Sequence, residues 1–221
     1  MPEAVGILFE QLPGIPGGSQ KGPLIQKFVG YLYAAMEQRE NDLVERTARE
    51  LLSRFLEEGG LTVPATGQLQ ASLDVMYAFT QQYWHLEVDT HPTLQRLKND
   101  GYRLALISNA MDDRNTQALI DAAQLRDYFE VILSSARAGI RKPHADIFHI
   151  VLHQMQISAQ ETAMVGDTLN ADILGAQNVG LYDIWITRRA DTPGNRRDAA
   201  RISPSAGIST LRELPELLRS L

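Results

Sequence analysis

Three short stretches of this 221-residue chain gather side chains suited to phosphate and hard cations. Ser108 and Asn109 follow the apolar run Arg103-Leu104-Ala105-Leu106-Ile107. Lys142 stands in Gly139-Ile140-Arg141-Lys142-Pro143, just before a helix that Pro143 opens. Gly166 and Asp167 follow Thr162-Ala163-Met164-Val165, with Thr168, Asn170 and Asp172 close behind. A hydroxyl, backbone N–H groups and a lysine hold phosphate oxygens. Paired carboxylates hold Mg²⁺, which keeps several waters and takes a phosphate oxygen as a further ligand. Together these residue types make up a magnesium-dependent phosphate site.

The elements that must position them follow from hydrophobic spacing. After Thr90 short apolar runs alternate with helical stretches: strands end near Ile107, Leu133, Val165 and Ile186, and helices lie between them. Strands buried on both faces and separated by helices imply a parallel sheet with helices on both sides. Ligands of such a sheet collect beyond the carboxyl ends of its strands, where all three stretches fall. From about Leu24 to Leu86 the texture is helical throughout, with Leu24, Phe28, Tyr31, Leu32 and Ala35 at helical spacing and Gly59-Gly60 as a stop. Val5-Gly6-Ile7-Leu8-Phe9 reads as one more strand. The expected organisation is an α/β core over residues 1–20 and 88–221, interrupted by an all-helical cap over residues 21–87.

Composition narrows the function classes. The formal charge is −6, from 21 Lys plus Arg against 27 Asp plus Glu, which argues against bulk electrostatic binding of nucleic acid or docking on anionic membranes. The chain has no cysteine, so thiol nucleophiles, disulfides and zinc–thiolate sites are excluded. No apolar stretch reaches the length of a membrane span. The expectation is a cytoplasmic protein whose partner is a small molecule, with no nucleic acid and no membrane.

Ile107-Ser108-Asn109-Ala110, then Gly139 to Phe148, then Met164-Val165-Gly166-Asp167-Thr168-Leu169-Asn170-Ala171-Asp172 resemble the second, third and fourth motifs of the haloacid dehalogenase-like hydrolase superfamily, in order and at its usual separations. The helical block resembles the inserted cap of its phosphoglycolate phosphatase-like and dehalogenase-like branch. The resemblance implies a Rossmann-like parallel core and hydrolysis of a small phosphorylated metabolite through an aspartyl phosphate, with Mg²⁺ as cofactor. It implies that Ser108 and Asn109 bind the phosphoryl group, that Lys142 steadies the nucleophile and the phosphate charge, and that Asp167 and Asp172 hold the metal. The form Gly166-Asp167-x-x-x-x-Asp172 is that of the family's phosphatases rather than of its metal-free dehalogenases.

The first motif departs from the family. Its pattern, Phe-Asp-x-Asp-Gly-Thr, supplies the nucleophile and the acid/base; Phe9-Glu10-Gln11-Leu12-Pro13-Gly14 stands in its place. Glu10 then takes the place of the nucleophile and of a metal ligand, and Leu12 that of the acid/base. The extra methylene of Glu moves the carboxylate by more than ~1 Å, a misplacement that can cost ~10²-fold in rate. Leucine transfers no proton, a loss of ~10²–10⁴-fold. Three readings stand: a member that binds phosphate and metal without turnover, a weak or rewired enzyme, and a chain with an altered N-terminus. A 2-haloacid dehalogenase is a further class, and it too needs the missing Asp.

Other candidates have plainer readings. His149 and His153 share a helix face without a third ligand and read as surface histidines. Tyr77, Tyr83, Trp84 and His85 suit the substrate side of the cap or its packing equally. The arginines from Arg188 to Arg201 suit an anionic substrate or another protein, but read first as a solvated loop.

Overall fold

A computed structural model describes residues 1–221. The chain opens with four helices: α1 (Pro2–Gln11), α2 (Lys21–Asp42), α3 (Ala48–Glu58) and α4 (Thr66–Gln81). After α5 (Thr90–Asn99) come β1 (Ala105–Ser108), α6 (Asp113–Ala122), β2 (Val131–Ser134), α7 (Ser135–Ala138) and α8 (Ala145–Met155). β3 (Ala163–Gly166), α9 (Gly175–Asn178), β4 (Tyr182–Ile186), α10 (Pro193–Asp198), β5 (Ala206–Ile208) and α11 (Leu214–Arg219) complete it. The expected α/β architecture is present, with every strand pair parallel. No helix is long and apolar enough to cross a membrane.

The N-terminal segment corrects the sequence reading. Val5–Phe9 is not a strand but the middle of α1. A run of five apolar residues is ambiguous by itself; the wider pattern decides. Ala4, Val5, Leu8, Phe9 and Leu12 recur at helical spacing and are all buried, and Pro2 and Glu3 occupy the first turn, where a missing N–H and a negative charge are both favourable. This face packs into the helical cluster of Phe28, Leu32, Leu52, Phe55, Leu69 and Leu73 rather than onto the sheet, so residues 1–20 do not lend a strand to the α/β part. Phe28 ties the cluster together, its ring 5.4 Å from that of Phe9 and 4.8 Å from that of Phe55. Offset aromatic contacts of this kind add about 0.5–1.5 kcal/mol each beyond area burial.

The helical reading of residues 43–47 also gives way. α2 ends where Leu43 adopts a left-handed backbone (φ 56°), and α3 starts only after Thr47. Thr47 and Glu50 form a capping box, each side chain satisfying a backbone N–H of the other residue. Residues 43–45 instead run antiparallel to the Lys142 loop. Glu45 N donates to Gly139 O at 3.0 Å, and Arg141 N donates to Leu43 O at 3.1 Å. The fully buried Glu45 carboxylate accepts from Arg39 (3.0 Å) and from Ser135 Oγ (2.8 Å), fastening the helical unit to the base of that loop.

The sheet is in two pieces. β1 pairs with β2, and β3–β4–β5 form the other, with no ladder between β1 and β3. Both pieces pack against the same helices. α8 covers one face, its Ile147, Phe148 and Val151 packing with Ala105, Ile107 and Leu133 of the first piece and with Met164 of the second. Leu97 of α5 covers the other face, against Leu104, Ala163, Val165 and Ile184.

Candidate functional site

Ser108, Asn109, Lys142, Asp167, Thr168 and Asp172 line a single cavity of about 550 Å³ at the carboxyl ends of β1 and β3. Five of the six residues singled out from the sequence as site residues therefore converge. The sixth does not. Glu10 lies on the exposed side of α1, paired with Lys21 at 2.8 Å, and is no part of the cavity wall. The assignment of Glu10 as nucleophile and metal ligand fails because its helix is built into the helical cluster. No first-strand carboxylate stands opposite Lys142.

Each wall residue is placed by an identifiable device. Ser108 is the last residue of β1. Asn109 clamps the lysine loop through its amide: Nδ2 donates to Lys142 O and Oδ1 accepts from Lys142 N, both at 2.9 Å. Lys142 is buried and its ammonium donates to Ile107 O at 2.9 Å and to Asp172 Oδ1 at 2.6 Å. Asp172 sits on a wide helical turn (Leu169–Leu174) that precedes α9. Its second oxygen accepts from Thr168 N at 2.9 Å. Gly166 makes room for it: a Cβ there would lie 2.3 Å from Asp172 Cγ.

Asp167 is exposed, and its backbone is held more closely than its side chain, which accepts only from Thr168 Oγ1 at 3.4 Å. Asp167 O accepts from Asn195 Nδ2 at 2.7 Å and from Trp185 Nε1 at 3.1 Å, while Asn195 Oδ1 accepts from Leu169 N at 2.8 Å. Sequence reasoning missed Asn195, which is buried and spans the loop on both sides of Thr168. A single asparagine after a Thr-Pro-Gly turn carries no motif. Arg197 and Arg201 are exposed, as expected of a solvated segment, and both also line the cavity. Arg201 pairs with Asp198 at 2.8 Å, whereas Arg197 has no carboxylate partner and offers a free cation at the rim. Arg188 turns away from the cavity and closes on buried Asp89 at 2.8 Å. Burial raises the Asp89 pKa, but hydrogen bonds from Arg188 and from Arg212 N outweigh it and hold the carboxyl below its ordinary range. Burial is the main influence on Arg141 in the cavity wall and lowers its pKa, with neighbouring Arg39 adding to the effect.

Asp167 and Asp172, the carboxylates expected to hold Mg²⁺, both line the cavity. Both oxygens of Asp172 are engaged, one by a lysine that already balances its charge, which leaves Asp167 as the one free member of the expected pair. No group of three metal-ligating side chains forms anywhere in the chain. His149 and His153 are exposed, as expected of surface residues. Tyr83 and Trp84 are exposed, while Tyr77 packs against the helical cluster. Burial, followed by the nearby carboxylates of Asp112 and Asp74, pushes the Tyr77 hydroxyl well above its ordinary pKa.

The haloacid dehalogenase-like hydrolase family model matches residues 15–180. The chain belongs to this family. Among curated relatives, a glyceraldehyde 3-phosphate phosphatase of Pyrococcus abyssi is 38% identical over 92 residues, covering 42% of this chain and 38% of the relative. A phosphoserine phosphatase of Thermus thermophilus is 29% identical over 172 residues, covering 77% of this chain and 63% of the relative. The chain thus spans less than two thirds of the length of these relatives. A 2-haloacid dehalogenase from Pseudomonas syringae shares the fold with a TM-score of 0.72 at 24% identity, over 98% of this chain and 90% of that one. Family membership agrees with the order of the motifs.

Proposed function

We propose that this chain receives the phosphate group of a small phosphorylated metabolite in the 550 Å³ cavity and, as these 221 residues, turns it over slowly or not at all. The observation that carries this reading is the convergence of Ser108 and Asn109 after β1, Lys142 in the loop after α7, and Asp167 after β3 on one cavity. The Ser108 hydroxyl and the Lys142 ammonium donate to phosphate oxygens, and Arg197 adds charge at the rim; charge-assisted bonds of this kind are about twice as strong as neutral ones. Asn109 orients Lys142 through the two backbone bonds and acts through it. The relatives' names point to small phosphomonoesters as the ligand class.

Turnover is low on this reading because no carboxylate opposes Lys142 to attack phosphorus, and Leu12, buried in the helical cluster, moves no proton. Any Mg²⁺ meets Asp167 as its only free carboxylate here, so metal binding is weak and phosphate binding does not depend on it. Titration calorimetry with inorganic phosphate and with glycerol phosphate, with and without Mg²⁺, tests the reading alongside an assay of phosphate release. Saturable binding with at most trace release supports it. Release at an ordinary enzyme rate, or no binding of either anion at millimolar concentration, overturns it.

A further inference from the structure

We propose that the ligand of the phosphate cavity is a phosphomonoester of an apolar alcohol, whose hydrocarbon part lies in a second, larger groove adjoining Ser108 and Asn109. This rests on the phosphate site proposed above and adds the class of molecule that the site serves. Ser108 and Asn109 stand in the walls of both spaces, the cavity of about 550 Å³ and a groove of about 990 Å³. A ligand whose head reaches the Ser108 hydroxyl therefore has the groove beside it.

The two spaces differ in chemistry. Around the cavity, Ile107 and Ala171 are the only apolar side chains, and Arg141, Lys142, Arg197 and Arg201 supply positive charge. The groove is lined instead by Leu32 and Met36 of α2, Leu73 and Met76 of α4, and Leu119 and Ile120 of α6. Small-molecule sites typically enclose about 300–1,000 Å³ and are mostly apolar, with a few polar groups that fix orientation. The groove supplies the apolar part and the cavity the polar one. An anionic head held by cations, with an apolar remainder beside it, describes one amphiphilic molecule rather than a peptide segment.

The ionised side chains of the groove wall are already engaged. Arg39 donates to Glu45 at 3.0 Å, and Glu87 pairs with Arg188 at 2.8 Å. Asp112 accepts from Asn115 N at 2.8 Å as the cap of α6, and Gln81 donates to Asn115 Oδ1 at 2.8 Å. Thr80 and Thr116 return their hydroxyls to the carbonyls of Tyr77 and Asp112. A carboxylate or ammonium on the organic part of the ligand would lose its water there and meet no free side-chain charge. Methylenes and rings, by contrast, are stabilised by leaving water. Trp84 and Leu86, also in the wall, are 68% and 42% exposed, large apolar surfaces that such a guest covers. Met36, Met76 and Met111 add unbranched, polarisable side chains that adapt to irregular hydrocarbon.

Calorimetry on the whole 221-residue protein with ethyl, butyl, hexyl and octyl phosphate, beside inorganic and glycerol phosphate, tests this. Each buried methylene is expected to tighten binding about two- to fourfold, so octyl phosphate binds at least about fiftyfold tighter than ethyl phosphate. Excess inorganic phosphate is expected to displace octyl phosphate. Leu119 is half-buried and Trp84 exposed, so Leu119→Gln and Trp84→Ala leave the core filled. Each is expected to lower the ratio of octyl phosphate to inorganic phosphate affinity by about fivefold or more. Equal affinity for ethyl and octyl phosphate, with inorganic phosphate still binding saturably, overturns the apolar-alcohol class and leaves the phosphate site standing. So does octyl phosphate that inorganic phosphate fails to displace, or a ratio that neither variant changes. Failure of every phosphate to bind overturns the phosphate site and this proposal together.

Discussion

Lys142 Nζ lies 2.6 Å from Asp172 Oδ1, and the two side chains are 9% and 6% exposed. This pair is the electrostatic centre of the cavity, and breaking it leaves an uncompensated buried charge. Removing one partner of a buried pair costs about 3–5 kcal/mol. Asp172→Ala and Lys142→Ala are each expected to destabilise the protein by that order in urea unfolding. The double variant is expected to cost clearly less than the sum of the two.

The Gly166→Ala variant tests the packing behind the pair. A Cβ at that position would sit 2.3 Å from Asp172 Cγ and 2.4 Å from Asp172 Cβ, atoms too close to the backbone to swing aside. Overpacking of this kind costs about 1–3 kcal/mol. The added methyl is expected to lower the thermal midpoint and weaken phosphate binding together. Unchanged values for both would show that the Asp172 turn is looser than described.

Most of the α/β part was legible because its signals are local. Apolar runs of strand length, Pro near helix starts and Gly at helix stops gave the order of elements, and Ser108, Lys142 and Asp167 stood at strand ends where the pattern put them. What was not legible depends on partners far along the chain. Val5–Phe9 is too short a run to reveal its period, and only the match of Ala4, Val5, Leu8, Phe9 and Leu12 to the helical cluster settles it as helix. Asn195 reaches Asp167 O across 28 positions, and Lys142 spends its ammonium on Asp172 across 30, neither of which any spacing rule encodes.

Glu10 supplies a direct check of the corrected N-terminus. Its side chain is 60% exposed and pairs only with Lys21, so Glu10→Gln is expected to change stability by less than about 0.5 kcal/mol. Phosphate affinity is expected to stay at the wild-type value. A marked loss of affinity would place Glu10 in the cavity after all.

Acid sensitivity is expected to involve Asp89. Hydrogen bonds from Arg188 and Arg212 N hold its folded pKa below the unfolded value of about 3.9, so its stabilisation is complete above that pH and fades as pH falls through the folded pKa. Asp89→Asn is therefore expected to flatten the thermal midpoint against pH below about pH 4. Parallel curves for variant and wild type across that range would refute the assignment.

The most direct measurement is the affinity for inorganic phosphate by calorimetry in three proteins: wild type, Ser108→Ala and Lys142→Met. Methionine keeps the stem of Lys142 and removes its charge. Binding is expected to weaken about tenfold for Ser108→Ala and by about ten- to a hundredfold for Lys142→Met, since bonds to charged groups are worth about 1.5–3 kcal/mol. Phosphate affinity unchanged in both variants would contradict the placement of the phosphate site between β1 and β3.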